Sequence, residues 1–150
     1  MARYLADTNL LLRLSDGAAP QNPVAAQALA RLFQERHEVF ITAQNIIEFW
    51  AVATRPITAN GLGWSREKTR MEVKSIRERF PFLADDAEIF LEWLRLVEAN
   101  EIAGKRVHDA RLVAVLKTNG IDHLLTFNAD DFAGFPSISV VSPHSLVPPA

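Results

Sequence analysis

There is no cysteine among the 150 residues, which removes disulfides, thiolate nucleophiles and cysteine-ligated zinc from consideration. An excess of charge is missing too. The formal net charge is −2 and the pI about 6.1, so any contact with a polyanion would rest on a local basic patch. No apolar run approaches the roughly 18 residues that span a bilayer. Asp7 and Arg13 break up the apolar N-terminus, so neither a signal peptide nor a membrane partner is expected, and the cytoplasm is the expected location. Internal repeats and low-complexity linkers are also lacking. What the chain does have is a composition of 49% hydrophobic and 23% charged residues, enough to bury a core. One domain over residues 1–150 is expected.

Strand and helix patterns alternate, which predicts an α/β domain with a largely parallel sheet. Residues 3–6 read as the first strand. Helical spacing runs from Pro23 to Arg36, and Val39 to Ile41 read as a strand. Thr42 is placed to cap a helix to about Thr54, which Arg55-Pro56 ends before the Gly-rich loop 58–63. Ser65 opens a helix to about Phe80, and Asp86 one to about Ala99, with a brief strand at Phe82-Leu83 between them. Residues 107–118 form a further helix closed by Asn119-Gly120. His123 to Phe127 and Ile138 to Val141 read as strands, with a helical turn at Asp130 to Phe132.

Carboxylates occupy unexpected places on this map. In RYLADTNLLLRL, Asp7 interrupts the first core segment at the strand's C-terminal end, the edge where open parallel sheets bind ligands. Capping a helix that starts at Thr8 is the alternative reading. Glu48 lies mid-helix in NIIEFWAV, where an ionised side chain among apolar neighbours costs free energy unless paired. Its alternatives are an exposed stripe or a salt bridge to Arg55. Asp109 begins an apolar helix and could equally cap it or pair with Arg106. In LLTFNADDF, Thr126, Asn128 and Asp131 leave the end of a buried strand, although Asn-Ala-Asp-Asp is also an ordinary turn. Carboxylates converging on one sheet edge would repel one another, and a hard divalent cation such as Mg²⁺ or Mn²⁺ relieves that repulsion.

Taken in order, ADTNLLLRL, NIIEFWAVATRP and VHDARLVAVLKTNGIDHLLTFNADDF resemble the PIN-domain nucleases, and within them the VapC-like toxins of toxin–antitoxin pairs. The resemblance implies a three-layer α/β/α sandwich around a short, mostly parallel sheet. It also implies Mg²⁺- or Mn²⁺-dependent hydrolysis of single-stranded or loop RNA, tRNA among the candidates. The acidic site would fall on Asp7, Glu48 and Asp109, with Asn128 or Asp131 as its fourth member and Asp131 the nearer source of charge. Thr8, Asn9 and Thr126 match the residues that orient the carboxylates. A homodimer and a small cognate antitoxin are the implied partners.

Lys105, Arg106 and Arg111 flank Asp109 and are the candidate RNA contacts. Between 66 and 79, Arg66, Lys68, Arg70, Lys74, Arg77 and Arg79 outnumber Glu67, Glu72 and Glu78, although intrahelical ion pairs explain that pattern equally. Trp50 and Trp64 are candidates for base stacking, with core packing the alternative. Two rival functions stand beside the nuclease. One is a PIN-like binding module without catalysis, favoured by the amide at 128. The other is an aspartyl-phosphate enzyme using Asp7, which would want Asp-x-Asp where residue 9 is Asn.

Overall fold

A computed structural model describes residues 1–135 and 137–149. Five strands, β1 (Arg3–Ala6), β2 (Glu38–Thr42), β3 (Phe82–Leu83), β4 (His123–Leu125) and β5 (Ser139–Val141), form one sheet in the order β3-β2-β1-β4-β5. Every pairing among them is parallel. Tyr4 of β1 stands opposite Val39 on one side and His123 on the other. The chain therefore winds outward from β1 in one direction, then returns past it to build the other half. That reversal puts a topological switch point between β1 and β4.

Among the described residues, six α-helices cover the sheet: α1 (Thr8–Ser15), α2 (Asn22–Gln34), α3 (Ala43–Thr54), α4 (Arg66–Arg79), α5 (Ala87–Ala99) and α6 (Arg106–Thr118). Strand residues alternate between the two faces, and the core divides accordingly. Tyr4, Ala6, Val39, Ile41 and Leu125 pack with Leu10 and Leu11 of α1, Leu29 and Leu32 of α2, Phe49 of α3 and Ile76 of α4. Leu5 and Leu124 face the opposite way, toward Ile89 of α5, Leu112 to Leu116 of α6 and Phe132. This is the α/β/α sandwich.

Local chemistry sets the element ends. Thr42 and Asn45 form a reciprocal capping box on α3, and Ser65 and Asp86 cap α4 and α5. At the end of α6 the Gly120 N–H donates to Lys117 and the Ile121 N–H to Leu116, a closure that needs the left-handed backbone of Gly120 (φ +65°). The loop after α3 folds back so that the N–H groups of Leu62, Gly63 and Trp64 satisfy the carbonyls of Val52, Arg55 and Ala53. Gly61 makes that return possible, because a Cβ there would stand 2.0 Å from the Arg55 carbonyl oxygen.

Several bounds differ from the sequence reading. β4 ends at Leu125 rather than Phe127, because the backbone N–H of Phe127 turns to the side chain of Asn9. β5 begins at Ser139, α2 runs over Asn22–Gln34, and α6 begins at Arg106. The turn after β4 is a 3₁₀ helix over Ala129–Phe132. Trp50 and Trp64 pack, partly buried, against the core, and Lys68 sits 4.3 Å over the Trp64 ring. On α4, Arg70 pairs with Glu67 and Lys74 lies 3.9 Å from Glu78, the intrahelical arrangement that competes with phosphate binding.

Candidate active site

The switch point is an open cleft of about 320 Å³. Its polar walls are Asp7, Thr8 and Asn9 after β1, Glu48 from α3 and Arg55 at its C-terminal cap, Asp109 from α6, and Asn128 and Asp131 beyond β4. Leu12, Val52 and Leu112 supply apolar surface. All the acidic positions singled out in the sequence therefore meet in one place, from four separate parts of the chain.

Asp7 caps α1 and at the same time lines the cleft. Its Oδ1 accepts the Thr8 backbone N–H at 2.8 Å, capping α1, while Oδ2 accepts the Thr126 hydroxyl at 2.7 Å and the Asn9 amide at 3.1 Å. Asn9 also reaches Thr126 and takes the N–H of Phe127, which ties the ends of β1 and β4 together. Hydrogen bonds to a charged group contribute about 1.5–3 kcal/mol each, against several kcal/mol for removing an ion from water. Here burial wins. The Asp7 carboxyl is pushed up from its ordinary value mainly by desolvation, with Glu48 and Asp131 adding repulsion against the help of Thr126 and Thr8.

Asp109 differs, since it caps nothing: α6 has no side-chain cap. Burial, followed by the charges of Asp7, Asp131 and Glu48, pushes its carboxyl up to about 6, and Arg106 opposes them. A carboxyl raised in the fold binds protons there that the unfolded chain has released. Its stability contribution is complete below about pH 4 and lost as pH rises toward 6. Asp7 acts with the same sign. Asp109→Asn is therefore expected to melt close to wild type at pH 4 and a few degrees higher at pH 7, with a chelator present. Thermal melts across that range check it, and a difference that does not grow with pH would contradict it.

Glu48 is not enclosed as its apolar neighbours suggested. Helix α3 leaves Ile47 69% exposed, and Glu48 is half-buried at the cleft wall. Its Oε1 accepts the Thr8 hydroxyl at 2.8 Å, and that hydroxyl in turn accepts from the buried Asn45 amide at 3.2 Å. Asn128 and Asp131 stand three residues apart along the 3₁₀ turn, where side chains eclipse, and both face the cleft.

Among the described residues, no three acidic or histidine side chains are gathered closely enough to hold an ion as they stand. Their chemistry still fits a hard cation. Mg²⁺ keeps several waters and needs only one or two protein carboxylates at a time, and a cation relieves the repulsion that crowded like charges impose on Asp7 and Asp109.

The candidate basic residues separate. Lys105 and Arg106 are exposed at the start of α6, where the Arg106 guanidinium lies 5.8 Å from the Phe135 ring. Arg111 stands outside the cleft, bonded to Gln44 at 3.0 Å and Asp85 at 3.1 Å. The sequence reading missed Gln44 and Asn45 as neighbours of Glu48, and Arg55 as a wall of the cleft. Their spacing on α3, four and three residues before Glu48 and seven after it, was the available signal.

A parallel sheet with an acid-lined cleft at its switch point defines the class of fold. The PIN domain profile matches residues 4–136, and the chain belongs to the PIN-domain family. Ribonuclease VapC24 of Mycobacterium tuberculosis is 26% identical over 129 residues, spanning 86% of this chain and 88% of that protein. A toxin–antitoxin complex from Klebsiella pneumoniae superposes with a TM-score of 0.61 at 25% identity, over 93% of this chain and 97% of that one. VapBC2 from Rickettsia felis, bound to a promoter DNA fragment, superposes with a TM-score of 0.71, covering 93% of this chain and 98% of that one. At 14% identity the last likeness concerns the fold alone.

Proposed function

We propose that this chain is a divalent-cation-dependent endoribonuclease acting on single-stranded or loop RNA, as the toxin of a toxin–antitoxin pair. The observation that carries the reading is the convergence of Asp7, Glu48, Asp109 and Asp131 on one open cleft. The likeness to a ribonuclease and to a toxin–antitoxin complex supports the substrate and the antitoxin partner. Asp7, Glu48 and Asp109 would hold Mg²⁺ or Mn²⁺, with Asp131 as the fourth carboxylate and Asn128 beside it. When bound, the cation supplies charge for the phosphodiester and a nucleophilic water near neutral pH. Thr8, Asn9 and Thr126 orient the carboxylates. Arg55, with Lys105 and Arg106 near Asp109, offers positive charge to the RNA backbone. The chain works as one PIN-like unit. The exposed Ile47, Phe90 and Leu91 supply apolar surface for a second copy.

Cleavage of single-stranded RNA with Mg²⁺ or Mn²⁺, and its loss with EDTA, is the direct test. Activity that persists in EDTA would overturn the cation, and no activity with either ion would favour a binding module. The same assay decides the fourth position. Asp131→Asn is expected to weaken Mn²⁺ binding and cleavage more than Asn128→Ala, because an amide brings no charge to the ion. Calorimetric Mn²⁺ titration showing the reverse order would make Asn128 the fourth site residue.

A further inference from the structure

We propose that Gln44, held by the His108 carbonyl and by an Arg111 that Asp85 anchors, is a positioning residue that fixes the second carboxylate oxygen of Glu48; this deepens the cation-dependent reading of the cleft and rests on it. The first oxygen, Oε1, is already held by Thr8. The second, Oε2, meets the Gln44 amide at 3.4 Å, at the long end of a hydrogen bond. That amide is located by two shorter bonds: its Nε2 donates to the His108 carbonyl at 2.9 Å, and its Oε1 accepts from Arg111 at 3.0 Å. Its place is therefore set by α6 and not by Glu48.

Gln44 is only 7% exposed, and a buried amide costs free energy unless both ends are bonded. An apolar residue would tie α3 to α6 without that cost. The amide adds direction. A guanidinium on Oε1 polarises the group, so that Nε2–H becomes a better donor toward a carboxylate. Asp85 Oδ1 sits 3.1 Å from the other Arg111 nitrogen and holds the guanidinium in place. Arg111 thus acts on Glu48 through Gln44, in addition to any contact it makes with RNA.

Mn²⁺ titration by calorimetry, with Gln44→Met, Arg111→Met, the double variant and Asp85→Asn, tests the relay. Gln44→Met is expected to weaken Mn²⁺ binding roughly tenfold, the scale of residues that orient metal ligands. Arg111→Met should weaken it in the same direction, and the double variant should be no weaker than Gln44→Met, because both act along one path. In RNA cleavage both should lower kcat, with KM unchanged in Gln44→Met. Asp85→Asn alters an exposed residue and keeps the test open if Gln44→Met fails to fold, with a smaller weakening of the same sign expected. Wild-type Mn²⁺ affinity in Gln44→Met or in Asp85→Asn would overturn the relay while leaving the cleft's function intact. So would additive effects, or a raised KM with unchanged kcat in Arg111→Met, which marks it as a phosphate contact only. A wild-type protein that binds no Mn²⁺ would overturn the cation reading and the relay together.

Discussion

Asp7→Asn is expected to lower RNA cleavage by roughly a hundredfold or more, about 3 kcal/mol of transition-state stabilisation. Its stability without metal should be equal to wild type or slightly higher. Two opposing effects set that balance. The substitution removes a charge whose burial is unfavourable, together with its repulsion by Glu48 and Asp131. With the single Asn oxygen kept on the α1 cap, its NH₂ replaces Oδ2, so the Asn9 amide loses an acceptor there and the Thr126 hydroxyl must turn to accept. The cap on α1 survives, because Asn serves as an N-cap about as well as Asp. Thermal melts with and without Mn²⁺ separate the roles. Wild type should gain stability on adding the ion, and the variant should not. A melting temperature many degrees below wild type would make Asp7 chiefly a structural cap.

Expression of the chain alone is expected to arrest bacterial growth, with viable counts falling by orders of magnitude, and Glu48→Gln is expected to restore them. Glu48 is the better choice for this experiment because it is half-buried and held through its side chain, so the amide keeps the helix and the Thr8 contact. Plate counts after induction, with soluble protein verified for both forms, provide the readout. Normal growth with wild type present and soluble would remove the toxin role while leaving cleavage to be judged in the test tube.

Local signals in the sequence located most of the architecture. Thr42, Ser65 and Asp86 mark helix starts by their own side chains, and Asn119-Gly120 marks an end by backbone geometry, so these were legible without any tertiary information. The acidic positions were legible for a different reason: each broke an apolar pattern. Glu48 was misjudged in its degree of burial because composition along α3 says nothing of which side faces the sheet, and Ile47 is the side that does not. The end of β4 was misplaced because Asn9, 118 residues earlier, captures the N–H of Phe127. Arg111 looked like a free cation beside Asp109, and only folding brings Gln44 and Asp85 to it across 67 and 26 residues. Charge and period are properties of a segment, whereas partners are properties of the fold.

The central strand is the first to be made, yet it gains its second neighbour only with β4. Its partner β2 lies close in sequence, with Tyr4 opposite Val39, but the other edge of β1 pairs with His123 far along the chain. Asp131 follows Asp7 by 124 positions, which at about 5–20 residues per second is roughly 6–25 s of translation. Until then β1 lacks its second neighbour, and the cleft lacks Asn128 and Asp131. An interrupted message would yield a fragment incapable of the proposed chemistry. The order of the strands therefore makes the cleft depend on residues far apart in synthesis, from Asp7 after β1 to Asp131 beyond β4.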